Sequence, residues 1–341
     1  MHCELIVPGL LPDGEDAAAQ AFGDLRLPSL ERLLARSRRT TDARITLEPW
    51  LAWAFDGDSE AEIPAGALTV AALGGEAGTD AWMRADPAHL RLNRDQLVLV
   101  PSAAFGLQAT EAEAIAETLN THFAGKLTFY PLSPHHWCVR LPKSVAIRTE
   151  ALMEVAGKDI NHHLPTGKDA KPWHSALNEI QMLLHEHPVN EAREARGEPP
   201  VNSVWLWGMG KLPEEAEATF HAVTSDDPVA IGLAKVAGLR HRLLPGGAQE
   251  WLGRLPEDGR ELLVLDGLRL PLALSDFDAW RARLAGYEET WFAPLLAALT
   301  SGRIGMVTVR IPDGDEMRSF ESTRNDQRHF WRRSKPLVDL A

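Results

Sequence analysis

Apolar and polar positions follow two different periods along the chain, which predicts a mixture of strands and helices. Short apolar runs that end at Gly, Pro or Asp predict strands at Cys3 to Val7, Gln96 to Val100, Leu127 to Tyr130, Trp137 to Leu141, Val201 to Trp207, Leu262 to Asp266 and Arg303 to Ile311. Apolar residues spaced three or four apart predict helices at Leu27 to Arg36, Thr110 to Phe123, Ser175 to His187, Pro213 to His221, Pro228 to Gly238 and Phe277 to Leu299. Because strands and helices alternate, we expect an α/β fold with a largely parallel sheet.

The middle of the chain predicts a unit of its own. Residues 92–165 contain a strand, a helix and a two-stranded hairpin, and loops flank them near Gly74 and at residues 159–171. We therefore expect a small inserted α/β domain at residues 92–165, within a core domain formed by residues 1–91 and 166–341. A chain of 341 residues is long enough for this arrangement.

Composition and charge narrow the classes of partner. The chain has 35 Lys and Arg against 48 Asp and Glu, a net charge of −13, which argues against general binding to nucleic acid or to an anionic membrane. Neither a secretory signal pattern nor an apolar run of about 18 residues is found. Cys3 and Cys138 are far apart and lack zinc-site spacing, as in a reducing compartment. We expect a cytoplasmic protein with no membrane partner and no nucleic-acid partner.

The most distinctive segment joins a helix end to a tryptophan-rich strand. It contains His187-Pro188-Val189-Asn190, Arg193, Gly197, Pro200, Asn202 and Trp205-Leu206-Trp207-Gly208-Met209-Gly210-Lys211. With the residues from Asn178 to Gly238 around it, this pattern resembles the archaeal-type cofactor-independent phosphoglycerate mutases of the alkaline phosphatase superfamily. Weaker similarity lies at residues 27–34 and 82–86. The resemblance implies an alkaline-phosphatase-like three-layer α/β sandwich with a mostly parallel central sheet and a small inserted α/β domain.

The resemblance also implies a catalytic centre, and the chain departs from it there. Such mutases hold two divalent metals and transfer phosphate through a serine, which requires several carboxylate and histidine ligands. Pro8-Gly9 stands where the first ligand, an Asp-Gly pair, is expected, and the segment Leu47 to Trp53 carries no hydroxyl where the nucleophile is expected. We therefore predict no cofactor. If the ligands have moved and the chain is active, manganese or zinc would bind at Asp13, Asp16, Asp266 and Asp313.

Polar residues of the distinctive segment suggest a ligand site, with a structural alternative for each. Asn190, Arg193 and Asn202 would bind a polar ligand, since a guanidinium clamps a carboxylate or phosphate, or would satisfy backbone groups at a helix end. Arg84 and Asp86 would line a pocket or form an ion pair with each other.

A glycine-rich turn follows the tryptophans. Gly208, Gly210 and Lys211 would form a cradle for an anion between a strand and a helix, or a tight turn. Trp205 and Trp207 share one face of a strand and would stack on a ligand or lie in the core.

Three functions follow from these observations. The first is a mutase-like pseudoenzyme that has lost the dimetal-serine site and acts as a regulatory or ligand-binding protein, with a phosphorylated small acid as its ligand. The second is an active phosphoglycerate mutase or phosphatase with relocated ligands. The third is a scaffold without a small ligand, which binds a protein partner through the basic C-terminal segment Arg324 to Lys335. That segment would otherwise pack on the protein as a terminal strap.

Overall fold

The fold is described by a computed structural model for residues 1–12, 14–43, 46–56, 62–254, 258–312, 316–329 and 331–340. The chain divides into two units, the first formed by Met1–Asp58 and Glu215–Ala341 and the second by Ser59–Glu214. The second unit contains the whole predicted insert at residues 92–165 and extends beyond it on both sides. No helix in the described ranges has the length and apolar character needed to cross a bilayer.

Strands and helices alternate in both units. The strands are β1 (His2–Ile6), β2 (Arg38–Asp42), β3 (Ala81–Asn93), β4 (Gln96–Pro101), β5 (Thr128–Pro131), β6 (Trp137–Leu141), β7 (Ser203–Gly210), β8 (Ala222–Ser225), β9 (Arg240–Arg242), β10 (Arg260–Val264), β11 (Met306–Pro312) and β12 (Met317–Thr323). The helices are α1 (Glu15–Phe22), α2 (Pro28–Ala35), α3 (Leu47–Asp56), α4 (Ala65–Ala72), α5 (Ala109–His122), α6 (Leu152–Val155), α7 (Ala170–His185), α8 (Pro188–Ala195), α9 (Pro228–Val236), α10 (Ala248–Leu252), α11 (Arg269–Ala273), α12 (Phe277–Tyr287) and α13 (Ala293–Ser301).

The first unit is built on a seven-stranded sheet in the order β2-β12-β11-β1-β10-β8-β9. β1 runs parallel to both β10 and β11, β8 and β9 continue the parallel pairing, and β12 and β2 are antiparallel. One face of β1 presents Cys3, Leu5 and Val7 to a core that includes residues of α1, α2, α10, α12 and α13. α3 lies against the opposite face, where the guanidinium of Arg310 sits 5.1 Å from the ring of Trp50. Helices therefore cover both faces of a mostly parallel sheet.

The second unit is built on an antiparallel sheet around one long strand. β3 pairs with β4, β6 and β7, and β6 pairs with β5. α5 and α7 pack on one side in a core that includes Ile115, Trp173 and Ile180, while α4 contributes to a smaller cluster with Trp82 and Cys138. The unit extends beyond residues 92–165 because β3, which pairs with three other strands, begins before that range and its partner β7 lies after it.

Most predicted elements are confirmed, with small shifts at their ends, but the helix predicted at Pro213 to His221 is wrong. The segment is irregular instead. The backbone N–H of Glu217 donates to the carbonyl of Phe55, and that of His221 donates to the carbonyl of Arg260. Phe220 packs against the ring of Phe55, with 5.8 Å between centroids. These tertiary contacts hold the segment extended and override its local helical pattern.

Each unit buries one cysteine. Cys3 lies in β1 and Cys138 lies in β6, and both are free and fully buried. Burial raises the pKa of the Cys138 thiol to about 12, and burial also raises the pKa of the Cys3 thiol well above its ordinary value. Both thiols are therefore protonated at neutral pH.

Close packing of β7 on α4 explains the glycines of the tryptophan-rich segment. Gly208 has a φ of +64°, and a Cβ added there would lie 2.4 Å from the Cβ of Ala65. A Cβ added at Gly210 would lie 2.6 Å from the Cβ of Pro64. These positions require glycine because the backbone approaches the helix start too closely for a side chain.

We expect Gly208→Ala to destabilise the second unit by about 2–4 kcal/mol, since the left-handed backbone and the steric clash both oppose a side chain. Gly197→Ala is the matched control, because Gly197 has a φ of +75° but open space around its Cβ position. The control should lower the free energy of unfolding by only about 1 kcal/mol, the cost of a left-handed backbone conformation for alanine. Urea unfolding followed by fluorescence measures both, and equal losses would contradict the steric explanation.

Candidate functional site

Ligands of open α/β sheets bind at the carboxyl ends of the strands, and in the first unit that edge is rich in carboxylates. β8 is followed by Asp226 and Asp227, and β10 is followed by Leu265 and Asp266. Because β8 and β10 are parallel neighbours, these three aspartates lie at the same edge. A cavity of about 650 Å³ opens here, and the polar side chains that line it include Asp226, Asp266, Arg283 and Tyr287.

Three of the carboxylates at this edge bind to other groups of the chain. The Oδ1 atom of Asp227 accepts a hydrogen bond of 2.8 Å from the backbone N–H of Ala230 and so caps α9. The Oδ1 atom of Asp226 accepts one of 3.0 Å from the N–H of Leu244. Glu48 from α3 accepts two bonds from the guanidinium of Arg269, at 2.9 and 3.1 Å.

The crowding of these acids shifts their protonation. Burial, and then the charge of Asp266, raises the pKa of Asp227 to about 6. Burial also raises the pKa of Asp266 in spite of the nearby charge of Arg269. The pKa of Tyr287 rises to about 12 because of burial and the charge of Asp266. Asp227 is therefore partly protonated at slightly acidic pH.

The described side chains do not fit a two-metal centre. Within the described ranges, no three His, Cys, Asp or Glu side chains come together as metal ligands. Pro8 and Gly9 follow β1, and the carbonyl of Gly9 is bound by the indole N–H of Trp280 at 2.8 Å. Asp16 is exposed in the first turn of α1. The other two predicted ligands, Asp13 and Asp313, lie outside the described residues.

In the second unit, Arg84 and Asp86 form a buried ion pair. The Nε and Nη2 atoms of Arg84 donate to Asp86 Oδ1 at 3.0 and 2.6 Å, and Nη1 donates to the hydroxyl of Thr69 at 3.1 Å. The indole N–H of Trp207 donates to Asp86 Oδ2 at 2.7 Å. Burial raises the pKa of Asp86, while Arg84 opposes that shift. The two residues are 4% and 0% exposed, so they bind each other rather than line an open pocket.

The polar residues at the start of the distinctive segment bind backbone groups. Asn190 donates to the carbonyls of Leu184 and Val201 and accepts from the N–H of Val201, each at 2.8 Å. Asn202 bonds in both directions with the backbone of Leu90. Asn190 is 1% exposed. In this structure both amides act as structural links between loops and strands.

Arg193 is also buried and fully engaged. Its Nη1 donates to Glu111 Oε2 at 2.6 Å, and its Nε donates to the carbonyl of Pro199 at 2.9 Å. Its Nη2 donates to the carbonyls of Phe105 and Gly106. The guanidinium is 1% exposed, so it ties the start of α5 to two loops and leaves no donor for a ligand.

In the glycine-rich turn, the backbone N–H of Gly208 binds a carboxylate of the chain itself. The backbone N–H of Gly208 donates to the Oε1 atom of Glu62 at 2.8 Å, and the N–H of Thr149 donates to Oε2 at 3.1 Å. The hydroxyl of Thr149 also donates to this carboxylate. Lys211 is exposed beyond the end of β7 and is not part of this contact. Of the three residues predicted to form a cradle, only Gly208 makes this contact, and the helix expected to follow them is absent.

Comparison with known proteins agrees with the sequence pattern. Residues 66–190 match the family model described as 2,3-bisphosphoglycerate-independent phosphoglycerate mutase. A Geobacter sulfurreducens protein named as a probable mutase of this kind is 29% identical over 182 residues, which are 50% of this chain and 45% of the relative. A Methanothrix thermoacetophila mutase is 38% identical over 100 residues, which are 27% of this chain and 25% of the relative.

Part of this chain is similar in sequence to cofactor-independent phosphoglycerate mutases. Its matches span less than half the length of these curated mutases. A solved structure from Pyrococcus horikoshii, 14% identical, superposes with a TM-score of 0.50 and covers 94% of this chain and 87% of that protein. The predicted α/β fold with a mostly parallel central sheet is confirmed.

Sequence reasoning missed most of the polar groups at this sheet edge. They are Glu48, Asp226, Asp227, Arg269, Arg283 and Tyr287. A signal existed for the Asp226-Asp227 pair, because it follows a short apolar strand and precedes Pro228, which begins a predicted helix. No local pattern identifies the others as neighbours.

We expect Asp227→Asn to stabilise the protein near neutral pH, because asparagine keeps the helix cap and removes a poorly solvated charge. The folded-state pKa of Asp227, about 6, lies above its ordinary value of 3.8. Protonation of Asp227 therefore contributes stability to the folded protein at pH values below 3.8. This contribution is lost as the pH rises through about 6.

Urea unfolding at about pH 4 and about pH 8 should show a gain of about 1–2 kcal/mol for Asp227→Asn only at the higher pH. Glu113→Gln, an exposed change on α5, is the control and should have no effect at either pH. A gain of equal size at both values would contradict the assigned titration.

We expect either Asp86→Asn or Arg84→Met to cost about 3–5 kcal/mol, because each leaves a buried charge or donor without its partner. The double variant should cost much less than the sum of the two, as a double-mutant cycle would measure. Glu250→Gln is the control, since its pair with Arg254 is about half exposed and should contribute less than about 1 kcal/mol. If the stability losses of the two single variants added up in the double variant, direct coupling between Arg84 and Asp86 would be contradicted.

Proposed function

We propose that this chain is a mutase-like protein that lacks dimetal-serine phosphoryl transfer and acts as a regulatory, ligand-binding protein. The observation that carries the proposal is the pairing of Glu48 with Arg269 at the sheet edge. The guanidinium of Arg269 binds both oxygens of the Glu48 carboxylate. A carboxylate held by a guanidinium fork is a poor metal ligand, since the cation would have to displace a charge-assisted pair.

The loop after β1 supports the same proposal. A two-metal mechanism requires ligands that hold both ions and a hydroxyl that accepts the phosphate. Pro8 and Gly9 supply no side-chain oxygen or nitrogen there, and α3 places Trp50 and Leu51, both fully buried, where the resemblance implies the nucleophile.

The charge at the edge limits the ligand class. Asp226, Asp227, Asp266 and Glu48 outnumber Arg269 and Arg283, so the described groups carry more negative than positive charge. A phosphorylated acid would be repelled by this excess unless a cation or protons neutralised it. A small ligand with hydroxyl or ammonium groups would instead donate to Asp226 and Asp266. We therefore place a donor-rich ligand ahead of a phosphorylated acid at this cavity.

The relatives support an active alternative, because several proteins at about 30% identity are named as mutases. Metal content and mutase turnover distinguish the active alternative from the proposed inactive, ligand-binding protein. We expect purified protein to bind no stoichiometric manganese or zinc and to convert phosphoglycerates at the background rate with either ion added. Manganese-dependent turnover that Asp266→Asn abolishes and Asp16→Asn preserves would overturn the proposal.

The ligand class is tested on the same preparations. Thermal unfolding is recorded with small amines, with polyols and with phosphoglycerates, since a ligand that binds only the folded state raises the melting temperature. The proposal expects stabilisation by an amine or a polyol, and its loss in Asp266→Asn. Stabilisation by phosphoglycerates that requires Asp266 would contradict the ligand class while leaving the absence of turnover intact.

A further inference from the structure

The cavity at the carboxyl edge of the first unit's sheet contains two opposite charges that no described residue pairs. Its volume is about 650 Å³, and its lining includes the turn after β8, the residues that follow β10 and part of α12. A volume of this size is typical of sites for small ligands. The proposed function places a donor-rich ligand here, and the positive charge in the same cavity restricts its chemistry further.

Asp266 supplies the negative charge at this cavity. It is half-buried, and its carboxylate accepts no hydrogen bond from another described residue. Asp226 lies at the exposed rim, and among described residues only its Oδ1 atom has a partner, the N–H of Leu244. Carboxylate oxygens that are partly removed from water require donors in return. These two side chains therefore favour a cation with several N–H groups.

Arg283 supplies the positive charge from α12. Its side chain is exposed at the cavity, and it forms no hydrogen bond or ion pair with a described residue. A Cβ built at Gly267 would lie 3.7 Å from both the Cδ and the Nη1 atoms of Arg283. Since Gly267 directly follows Asp266, the guanidinium lies beside the backbone next to this acid without bonding to its carboxylate. The two charges are thus close together and unpaired.

A ligand with a single charge satisfies only one of these groups. An amine donates to the carboxylates but leaves the guanidinium without an acceptor. A carboxylic acid or a phosphate accepts from the guanidinium but is repelled by both carboxylates. An α-amino acid carries an ammonium and a carboxylate on the same carbon atom. It therefore satisfies both kinds of group, and its short charge separation suits protein charges that lie side by side.

The rest of the lining selects among amino acids. Leu244, Pro245, Ala282 and Trp291 line the same cavity. They offer apolar surface beside the charged groups, and burial of an apolar side chain against such surface is favourable. The lining therefore favours an amino acid with an apolar side chain over glycine.

We propose that this cavity binds a free α-amino acid with an apolar side chain. Asp266 and Asp226 accept from its ammonium group, Arg283 donates to its carboxylate, and its side chain packs against Leu244 and Trp291. The inference rests on the proposed function, because it specifies the ligand of the same cavity.

Isothermal titration calorimetry of the full chain with L-leucine, L-methionine and L-phenylalanine tests the proposal. Each is compared with its amide, which keeps the ammonium alone, and with its N-acetyl derivative, which keeps the carboxylate alone. We expect saturable binding of at least one amino acid and binding at least about tenfold weaker for both of its derivatives, the effect of one lost charged contact. The absence of saturable binding by all three amino acids would overturn the inference.

Variants assign each charged contact to its residue. Arg283→Met should weaken binding of the amino acid at least about tenfold without weakening that of its amide, and the retained amide binding shows that the cavity is intact. Arg240→Met makes the same change at an exposed arginine that does not line the cavity, and it should leave both affinities unchanged. Asp266→Asn should weaken both ligands, because both carry the ammonium group.

The outcomes separate this inference from the proposed function. Equal affinity for the amino acid and its amide would overturn the inference, and so would full affinity for the amino acid in Arg283→Met. Either result leaves a donor-rich ligand at Asp266 intact. Manganese-dependent mutase turnover would overturn the proposed function instead, and the affinity ratios would still decide the inference.

Discussion

The position of β1 between β10 and β11 is the constraint on which the candidate site depends. Glu4 of β1 is 0% exposed, and its carboxylate accepts from Arg260 of β10 and from Arg310 of β11. Each flanking strand thus supplies one cation to the same buried acid. Removal of either partner would leave a buried charge, so the ionic contacts and the backbone pairing fix the same alignment. That alignment brings the carboxyl ends of the parallel strands to one edge.

Local sequence patterns predicted the elements whose periodicity is clear. β1 and β10 are short apolar runs, and α2 and α9 begin with a proline at the first turn, which is a reliable start signal. β3 showed no pattern because its first eight residues are all buried, so apolar and polar positions do not alternate. The segment before β8 has a helical pattern, but its contacts with α3 and β10 decide its conformation.

Site residues were harder to predict than elements, because residue type does not reveal the partner. Asn190, Arg193 and Asn202 have the polar groups of a binding site, yet the structure gives those groups to backbone atoms. Glu48 and Arg269 are 221 positions apart, and only the completed fold makes them neighbours. Gly208 was predicted to help bind an external anion, but its N–H binds Glu62, which is 146 positions away in the sequence.

The two buried cysteines give each unit its own chemical reporter. Thiol reagents react with the thiolate, which burial suppresses at both positions, so modification requires local or global opening. Cys3 lies in the parallel sheet and Cys138 in the antiparallel one. The rates at which the two sites acquire a label therefore report separately how often each unit opens under native conditions.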